Sequence, residues 1–408
     1  MLPEGWRPQK LREFISSADA GVSVNGEDRS AESHEFGVLK ISSVTEGVFR
    51  PEQNKLIRAD ELQRAAVHPQ ADRILVSRSN TETLVGASAY VACDQPNLFL
   101  PDKLWQLHPD SASQTHMLWL SHWLASDATR SLLSKLATGT SGSMKNIGKN
   151  QLLALVVPVP PPEEQCRIAR VLSTWDQAIA TTERLLANSR KQNDVLTNAL
   201  LQGKKRIGEY QGWTSKKLED LIVESRVQGS GGDVARKITV KLYGRGVVGK
   251  SEKRLGSEST QYYRRIAGQF IYSKLDFLNG AFGRIPEHLD GYESTLDLPA
   301  FDFLPGVDPR WFLYFVSRED FYLSHLGLAN GGRKARRVNP SDLLRVAIQM
   351  PEIAEQKVIA DVLDLALEEV NNFASQFQLL RKQKSVLLAQ LLTGKRRVKV
   401  ENSIEVAA

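Results

Sequence analysis

The sequence predicts an α+β fold with two globular domains and two long antiparallel helices that form a coiled coil. Three observations lead to this prediction: an internal repeat, a heptad pattern in both copies of it, and mixed strand-like and helix-like runs between the copies. With 408 residues, the chain is long enough for two to four domains of roughly 100–200 residues each. Its 41% hydrophobic and 25% charged residues are typical of globular proteins and exclude wholesale disorder.

The internal repeat consists of two segments that align without a gap at an offset of 191 residues. The segments start at Glu164-Gln165 and Glu355-Gln356, and 16 of the 43 positions between 164 and 206 are identical in the second copy. Gly5-Trp6 and Gly212-Trp213 also match, at an offset of 207. The segments between these matches show little mutual similarity. A pseudo-twofold repeat therefore predicts two unlike domains, each followed by the same connector.

Both repeated segments have the pattern of long helices with a coiled-coil seam, because core positions recur at alternating spacings of four and three. These positions are Ile168, Leu172, Trp175, Ile179, Thr182, Leu186, Ser189, Asn193, Leu196 and Leu200 in the first copy, and Ile359, Leu363, Ala366, Val370, Phe373, Phe377, Leu380, Lys384, Leu387 and Leu391 in the second. Prolines precede each helix, and Gly203 or Gly394 with basic residues follows, as at helix ends. The polar seam residues set the register or contact a partner.

About 40 residues per helix predict a length of roughly 60 Å. Packing the two seams against each other in antiparallel fashion buries both and places the domains at opposite ends of a rod. Two independent helices in separate bundles are the alternative. The predicted domain organisation is a first domain at 1–160, a first helix at 161–206, a second domain at 207–350, a second helix at 351–397 and a tail at 398–408.

Each variable segment mixes strand-like and helix-like runs. The predicted strands are 37–41, 73–77, 238–242 and 269–272, and the predicted helices are 117–124 and 310–316. Each segment ends in a glycine-rich loop that contains cations, at 138–145 and 330–337. Glycines and convergent cations suit contacts with phosphates and base edges. The same loop placed before both helices favours this interpretation over a solvated charged loop.

The repeated motifs are those of a known family. Pro161-Pro162-Glu163-Glu164-Gln165 leads through Arg167-Ile168 into a long helix, and the second copy starts at Pro351. Helix ends of the form Leu-Leu-x-Gly-Lys, the Gly-Trp domain starts and the stretch 285–292 complete the set. With these motifs the chain resembles, over nearly its whole length, the specificity (S) subunit of Type I restriction–modification systems. Glu352-Ile353-Ala354 replaces the expected second proline in the second copy, a minor departure.

The resemblance implies a protein that is not itself an enzyme. Each domain would be a target-recognition domain that reads one half of a split double-stranded DNA sequence, and the helical pair would fix the unread spacer between the halves. Two methyltransferase (M) subunits would dock on the chain, and restriction (R) subunits would join them. S-adenosylmethionine, ATP and magnesium would belong to those partners, so no cofactor, catalytic residue or metal ligand is expected in this chain.

Arginine pairs with guanine and asparagine with adenine, while lysine and arginine also bind phosphates. The candidate DNA-binding residues are Arg78, Asn80, Lys145, Asn146 and Lys149 in the first domain, and Lys274, Arg333, Lys334, Arg336 and Arg337 in the second. For each of them, a phosphate contact or a solvated surface position is the competing interpretation to base reading.

Two other functions compete with DNA recognition. Gly244–Ser251 fits the phosphate-loop pattern GxxxxGK[ST] of NTPases and follows a strand-like run, but the polar, glycine-interrupted residues after it do not predict the required helix. A coiled-coil scaffold without enzymatic activity is the other alternative. The sequence contains no HExxH or GxSxG motif, and its Asn339-Pro340 pair does not continue as a methyltransferase motif.

Charge and cysteine content narrow the setting. A net charge of +6 favours a polyanionic partner only weakly. Two distant cysteines, without a CxxC pair, fit a reducing cytoplasm, and Cys93 is expected in the core. The chain has no run of about 18 apolar residues, so we expect no membrane association.

Overall fold

The structure is a computed structural model that describes residues 2–141, 144–251, 256–324, 327, 329–330 and 336–398. The chain divides into two compact units. The first unit is formed by the residues up to Glu183 together with those from Ser375 onward, and the second unit by Arg184–Ala374. Each unit therefore contains one variable segment of the sequence and a part of both long helices.

The first unit combines short strands with three short helices. The strands are β1 (Arg7–Lys10), β2 (Ile15–Ala20), β3 (Gly37–Leu39), β4 (Asn54–Leu56), β5 (Arg73–Ser77), β6 (Ser79–Asn80), β7 (Ser88–Val91), β8 (Leu98–Phe99), β9 (Leu104–Pro109), β10 (Thr138–Ser141), β11 (Met144–Asn146) and β12 (Val156–Val159), and the helices are α1 (Met117–Ala125), α2 (Asp127–Leu136) and α3 (Lys149–Leu153). An antiparallel sheet with the order β2-β9-β5-β7 forms its centre. Separate sheets have the orders β4-β3-β8 and β10-β11-β6, and β1 pairs with β12.

Helix α4 (Pro162–Leu201) leads from the first unit into the second unit, whose elements repeat the same plan. Its strands are β13 (Thr214–Lys217), β14 (Ile222–Ser225), β15 (Gln228–Gly231), β16 (Ile238–Val240), β17 (Val247–Gly249), β18 (Gln261–Arg264), β19 (Phe270–Tyr272), β20 (Phe282–Arg284), β21 (Glu293–Ser294), β22 (Ala300–Phe303), β23 (Ala329–Asn330), β24 (Arg337–Val338) and β25 (Ala347–Met350), and its helices are α5 (Pro309–Val316), α6 (Glu319–Ser324), α7 (Pro340–Leu344) and the start of α8 (Ile353–Leu392). The central sheet has the order β14-β22-β19-β20, and β13 pairs with β25 as β1 does with β12.

The middle strand of each central sheet separates two hydrophobic cores. In β5, Ile74 and Val76 pack into one cluster and Leu75 into another. In β19, Phe270 and Tyr272 pack on one side and Ile271 on the other. Because side chains alternate across a strand, a short run that is buried on both faces contributes to both cores. The two units thus share a sheet plan although their variable segments show little sequence similarity.

Helices α4 and α8 each contain 40 residues, as the heptad pattern predicted. All twenty predicted seam positions are buried or half-buried. Within the first unit, the Lys384 ammonium forms an ion pair with Asp176 across the seam. Within the second, the Ser189 hydroxyl donates a hydrogen bond of 3.0 Å to the Glu369 carboxylate. The contacts advance from Asp176 to Ser189 along α4 and go back from Lys384 to Glu369 along α8, so the two helices run antiparallel, which confirms the predicted coiled coil. Two of these four residues, Ser189 and Lys384, are predicted polar seam positions.

Glycine ends both helices in the left-handed conformation. Gly203 and Gly394 have a φ of 68°, and their N–H groups donate to the carbonyls of Leu200 and Leu391, at 3.2 Å in both cases. A side chain disfavours this φ, so glycine is the preferred residue at such a helix end. The predicted ends are therefore confirmed.

A buried glutamate at the start of each long helix connects three parts of its unit, and we call each such set of contacts a joint. Glu164 accepts hydrogen bonds from the Trp6 indole (3.1 Å) and from the Arg397 guanidinium (2.6 and 2.8 Å). Glu355 accepts the equivalent bonds from Trp213 (3.2 Å) and Arg206 (2.9 and 2.7 Å). The sequence patterns treated these arginines only as cations that follow a helix. The structure shows in addition that each one binds the glutamate at the start of the other helix.

The neighbouring glutamine performs a matching task in each unit. Gln165 donates to the carbonyl of Pro160 (2.9 Å) and accepts from the N–H of His116 (2.9 Å), just before α1. Gln356 donates to the carbonyl of Pro351 (2.9 Å) and accepts from the N–H of Asp308 (2.8 Å), just before α5. The repeated Glu-Gln motif therefore fastens each long helix to the domain beside it.

Some local predictions need correction. The strand expected at 37–41 ends at Leu39, where the chain turns into a 3₁₀ helix, and the strand expected at 238–242 ends at Val240 before a tight turn. Cys93 is exposed rather than in the core because it lies in the turn after β7. Within the described ranges, no helix is long and apolar enough to cross a membrane.

Candidate nucleic-acid interface

The first unit brings several candidate residues together on the sheet β10-β11-β6. Lys145 lies opposite Asn80 in the register of β11 and β6, and Asn146 lies opposite Ser79. The Lys145 ammonium donates to the carbonyl of Gly139 on the other arm of the β10–β11 hairpin, at 3.1 Å. Asn146 is exposed, and its side-chain amide forms no hydrogen bond to a described residue. Strand β11 therefore carries a cation and an amide at consecutive positions, and these side chains point to opposite faces of the strand.

Asn80, Arg78 and Lys149 have more internal contacts than the sequence indicated. The Asn80 amide donates to the Ser77 hydroxyl (3.4 Å), and its oxygen accepts from the N–H of Thr81 (2.8 Å). The Arg78 guanidinium donates to the carbonyl of Asp102 (2.7 Å), although 39% of its side chain is exposed. The Lys149 ammonium donates to the carbonyl of Ala18 (3.0 Å). These hydrogen bonds tie all three side chains to neighbouring segments of the first unit.

The second unit places Lys274 and Arg337 beside one acidic residue. The N–H of Lys274 donates to the carbonyl of Asp297 (2.9 Å). The Arg337 guanidinium lies 3.5 Å from the Asp297 carboxylate, with both side chains about half exposed. Arg336 is exposed in front of β24, which pairs with β23 in a second hairpin. Arg333 and Lys334 lie outside the described residues.

Backbone hydrogen bonds show that Arg78 and Lys274 occupy equivalent positions. The carbonyl of Arg78 accepts from the N–H of Ile147 (2.9 Å), the residue directly after β11. The carbonyl of Lys274 accepts from the N–H of Val338 (3.0 Å), the last residue of β24. In each unit the hairpin is followed by a short helix, a strand and a long helix. The structure therefore assembles the same arrangement twice: a cation after the central strand and a hairpin that is hydrogen-bonded to it.

One strongly basic region contains none of the predicted DNA-binding residues. Residues 226–265 contain ten lysines and arginines but only three acidic residues, a net charge of +7, whereas the whole chain carries +6. Several of these cations are structural: Arg265 is fully buried, Lys237 is nearly so, and the Arg236 guanidinium lies 4.1 Å from the centre of the Tyr292 ring. Others, such as Arg264, are exposed. A running count of charge along the sequence would have found this region.

The phosphate-loop pattern at Gly244–Ser251 does not form a phosphate-binding loop. Val247–Gly249 is strand β17, which pairs antiparallel with β16. In a genuine phosphate loop, the residues at this place wrap around the phosphates and lead into a helix whose N–H groups face them. The motif is instead a β-hairpin, so the structure does not support the NTPase alternative. Within the described part of the chain, no three His, Cys, Asp or Glu side chains are grouped so that they could hold a metal ion.

Comparison of the sequence with known proteins finds similarity to Type I specificity subunits. Residues 3–188 match the family model of the Type I restriction modification DNA specificity domain. Over 205 residues the chain is 25% identical to the Type I restriction enzyme EcoEI specificity subunit of Escherichia coli; the match covers 49% of this chain and only 34% of that protein. It is 21% identical to the putative type I restriction enzyme MjaX specificity subunit of Methanocaldococcus jannaschii, over 98% of this chain and 95% of that protein.

Solved structures are similar to the whole chain. The S subunit of a Type-I restriction-modification system from M. genitalium has a TM-score of 0.59 at 13% identity, with 96% of this chain and 97% of that chain covered. A second solved structure concerns the complex assembly and conformational transition of the type I R-M system. One of its chains has a TM-score of 0.55 at 16% identity, with 97% of this chain and 100% of that chain covered. At these identities the likeness establishes a shared fold, and it confirms the predicted fold class.

Proposed function

We propose that this chain is the sequence-reading subunit of a Type I restriction–modification complex, since residues 3–188 match the family model of the Type I restriction modification DNA specificity domain. The observation that carries the proposal is the repeated hairpin arrangement of Arg78 and Lys274, which gives the second unit the same candidate interface as the family-matched first unit. Such a chain binds DNA and catalyses no reaction itself.

The proposed target is bipartite. Residues 1–160 and 207–350 are proposed as two target-recognition domains, each of which reads one half of a split sequence. Their variable segments differ in sequence and length, so they would read different half-sites. Helices α4 and α8 are continuous over 40 residues each, and such stiff elements suit a spacer of fixed length between the half-sites.

Contacts within each domain would divide into positioning and reading. Arg336 and Arg337, together with Lys145, are proposed to bind phosphates, since they are cations at the two hairpins and both arginines are exposed. The Asn146 amide forms no hydrogen bond to a described residue and can pair with adenine. Lys274 and Arg78 would contribute charge at the base of the hairpins. Arg333 and Lys334, which lie outside the described residues, are proposed to contact DNA as well. Asn80 and Lys149 would act mainly by stabilising the segments around the first hairpin, since their side chains are hydrogen-bonded to Thr81 and Ala18.

The proposed partners follow from the same assignment. Two methyltransferase subunits would dock on this chain, and restriction subunits would join them, which would supply S-adenosylmethionine, ATP and magnesium sites on those partners. Co-purification of the tagged chain with a methyltransferase expressed from a neighbouring gene tests this part. A chain that stays monomeric with every such subunit at micromolar concentration would contradict it.

A footprint tests the central proposal. The chain, in complex with its methyltransferase partner, is expected to protect two short sequences with an unprotected or unread gap between them. Random-sequence selection followed by footprinting would reveal both halves. Selection of a single continuous motif, or of no motif at all, would contradict a bipartite target.

Salt dependence tests the phosphate contacts. Replacing Arg336 and Arg337 by alanine is expected to lower the slope of log affinity against log salt by about 1 for each lost phosphate contact, at similar cost for all DNA sequences. Arg190→Ala with Lys191→Ala, two exposed cations on α4, is the matched control for lost charge. An unchanged slope in the Arg336/Arg337 variant, or an equal change in the control, would show that these arginines do not bind phosphates.

A further inference from the structure

The hairpin that joins β16 and β17 has an unusual tip. Its residues 241–246 are Lys-Leu-Tyr-Gly-Arg-Gly, and they lie in the basic region 226–265. Tyr243 has a φ of +57°, and its side chain is 66% exposed. Bulky residues rarely adopt this left-handed conformation, because the β-carbon crowds the backbone. The fold therefore holds an aromatic ring in solvent on a strained backbone.

Backbone hydrogen bonds fix the tip in this conformation. The N–H of Lys241 donates to the carbonyl of Gly246 (2.8 Å) and closes the turn. The N–H groups of Tyr243 and Gly244 donate to the carbonyls of Asn279 and Gly280, at 2.9 Å each. A conformation that is costly on its own persists only where its surroundings determine it, and such residues cluster at functional sites. These hydrogen bonds thus hold the backbone of the tip in one conformation.

The side chains at the tip suit a nucleic acid. Lys241 and Arg245 are both exposed, and neither forms an ion pair with a carboxylate of the described chain. Leu242 beside them is 37% exposed. The Tyr243 hydroxyl forms no hydrogen bond to any described residue. The two cations therefore flank an apolar and an aromatic side chain. In DNA-binding proteins, cations bind phosphates and apolar side chains can insert between base steps.

The tip adjoins the candidate interface of the same unit. Asn279 and Gly280, which hold it, belong to the turn that follows β19. That turn starts at Ser273 and Lys274, and the N–H of Ser273 donates to the carbonyl of Ala281 (3.0 Å). Lys274 in turn carries the hydrogen bond to Val338 of the β23–β24 hairpin. One short loop thus supports both the tip and the hairpin.

We propose that residues 241–246 form a DNA-contacting wedge in the second domain. Tyr243, with Leu242 beside it, contacts base edges and stacks on an opened base step, while Lys241 and Arg245 hold the phosphates on either side. The inference rests on the proposed function and deepens it, because it names residues that determine sequence preference. It also accounts for the strain: the ring projects outward because its target lies outside the chain.

A stacking role and a structural role give opposite results for Tyr243→Gly. Glycine accepts the positive φ, so this variant is expected to melt no lower than the wild type. Loss of one stacked aromatic ring is expected to weaken binding to the selected target by about 5- to 150-fold. Tyr243→Phe keeps the ring and is expected to bind within about threefold of the wild type, on the same stacking argument. The measurement is fluorescence anisotropy with a labelled duplex, alongside thermal melting.

The flanking cations have their own readout. Lys241→Ala with Arg245→Ala is expected to lower the salt slope by about 2, one for each phosphate contact. The Arg190→Ala and Lys191→Ala variant again serves as the charge control. If the wild type binds no specific DNA, the proposed function itself fails. If it binds, but the Tyr243→Gly and cation variants bind with unchanged affinity, salt slope and footprint, the wedge is refuted. A Tyr243→Gly variant that melts below the wild type would equally refute it.

Discussion

The ion pair in the seam of the first unit gives the sharpest test of how the helices are held in register. Lys384 and Asp176 have 18% and 28% of their side chains exposed. The Nε2 atom of buried His122 lies 3.7 Å from the same carboxylate. Burial raises the pKa of Asp176, and Lys384 opposes this rise. Lys384→Met removes the charge, keeps an unbranched stem and leaves the carboxylate without its cation.

The expected penalty follows from the degree of burial. Breaking a fully buried ion pair costs about 3–5 kcal/mol, and an exposed pair contributes about 0–1 kcal/mol. Because both side chains are mostly but not fully buried, we expect Lys384→Met to reduce the free energy of unfolding by about 2–3 kcal/mol at pH 7. A compensating apolar pair, Asp176→Leu with Lys384→Met, should recover most of this loss, since replacing a buried pair with hydrophobic residues is often neutral.

The pH dependence has a definite sign. Burial first, and Lys384 second, lower the pKa of His122 to about 3. The unfolded chain binds a proton near the ordinary histidine pKa of about 6.5, so the wild type loses stability as the pH falls through that value. In Lys384→Met the repulsion is gone, and His122 or Asp176 takes up a proton more easily. The penalty of the substitution should therefore shrink between pH 7 and pH 5.

Urea unfolding followed by tryptophan fluorescence measures both effects. Five of the seven tryptophans, all except Trp213 and Trp311, lie in the first unit and report mainly on it. A double-mutant cycle of Asp176→Leu and Lys384→Met isolates the coupling between the two groups. Purely additive losses would show that the pair does not stabilise the seam. A penalty that grows toward pH 5 would refute the assignment of protons to His122 and Asp176.

Three further predictions concern one buried arginine, the two joints and the length of the long helices. Arg265 is fully buried and donates to the Ser294 hydroxyl (2.7 Å) and the carbonyl of Ser225 (2.8 Å). Arg265→Met should therefore lower the free energy of unfolding by about 3 kcal/mol or more in urea titrations, and Arg265→Lys should not restore it. Glu355→Gln and Glu164→Gln each weaken a bidentate arginine pair and should each reduce the melting temperature, by similar amounts if the two joints are equivalent. Inserting about one helical turn, roughly four residues, into one long helix should alter the gap tolerated between half-sites in a selection experiment and leave the half-sites unchanged; altered half-sites with the same gap would contradict the spacer role.

Local patterns made the long helices predictable. The heptad spacing, the prolines before the helices and Gly203 and Gly394 after them act over a few residues each, so one sequence suffices to recognise them. All twenty seam positions are at least half-buried. Strand Arg73–Ser77 was predicted with its observed bounds, because the short apolar run Ile74-Leu75-Val76 marks a strand that is buried on both faces.

The domain interiors were not predictable in the same way. Their strands contain two to six residues, and their partners are distant: Arg7 pairs with Val159, and Thr214 with Met350. Such pairings depend on the whole chain and leave no periodic trace. The equivalence of Arg78 and Lys274 likewise arises from backbone hydrogen bonds, which no side-chain motif encodes.

The division between repeated and unrepeated residues carries a physical meaning. Trp6, Glu164 and Gln165 recur at matching places in the second half, and in both units they bind each other or the chain next to them. The exposed cations and the tip at Tyr243 have no sequence counterpart in the first half. A buried bidentate joint tolerates few residue types, because its loss leaves an unpaired charge. An exposed contact is constrained only by what it binds, so two domains with different targets share their joints and differ in their surfaces.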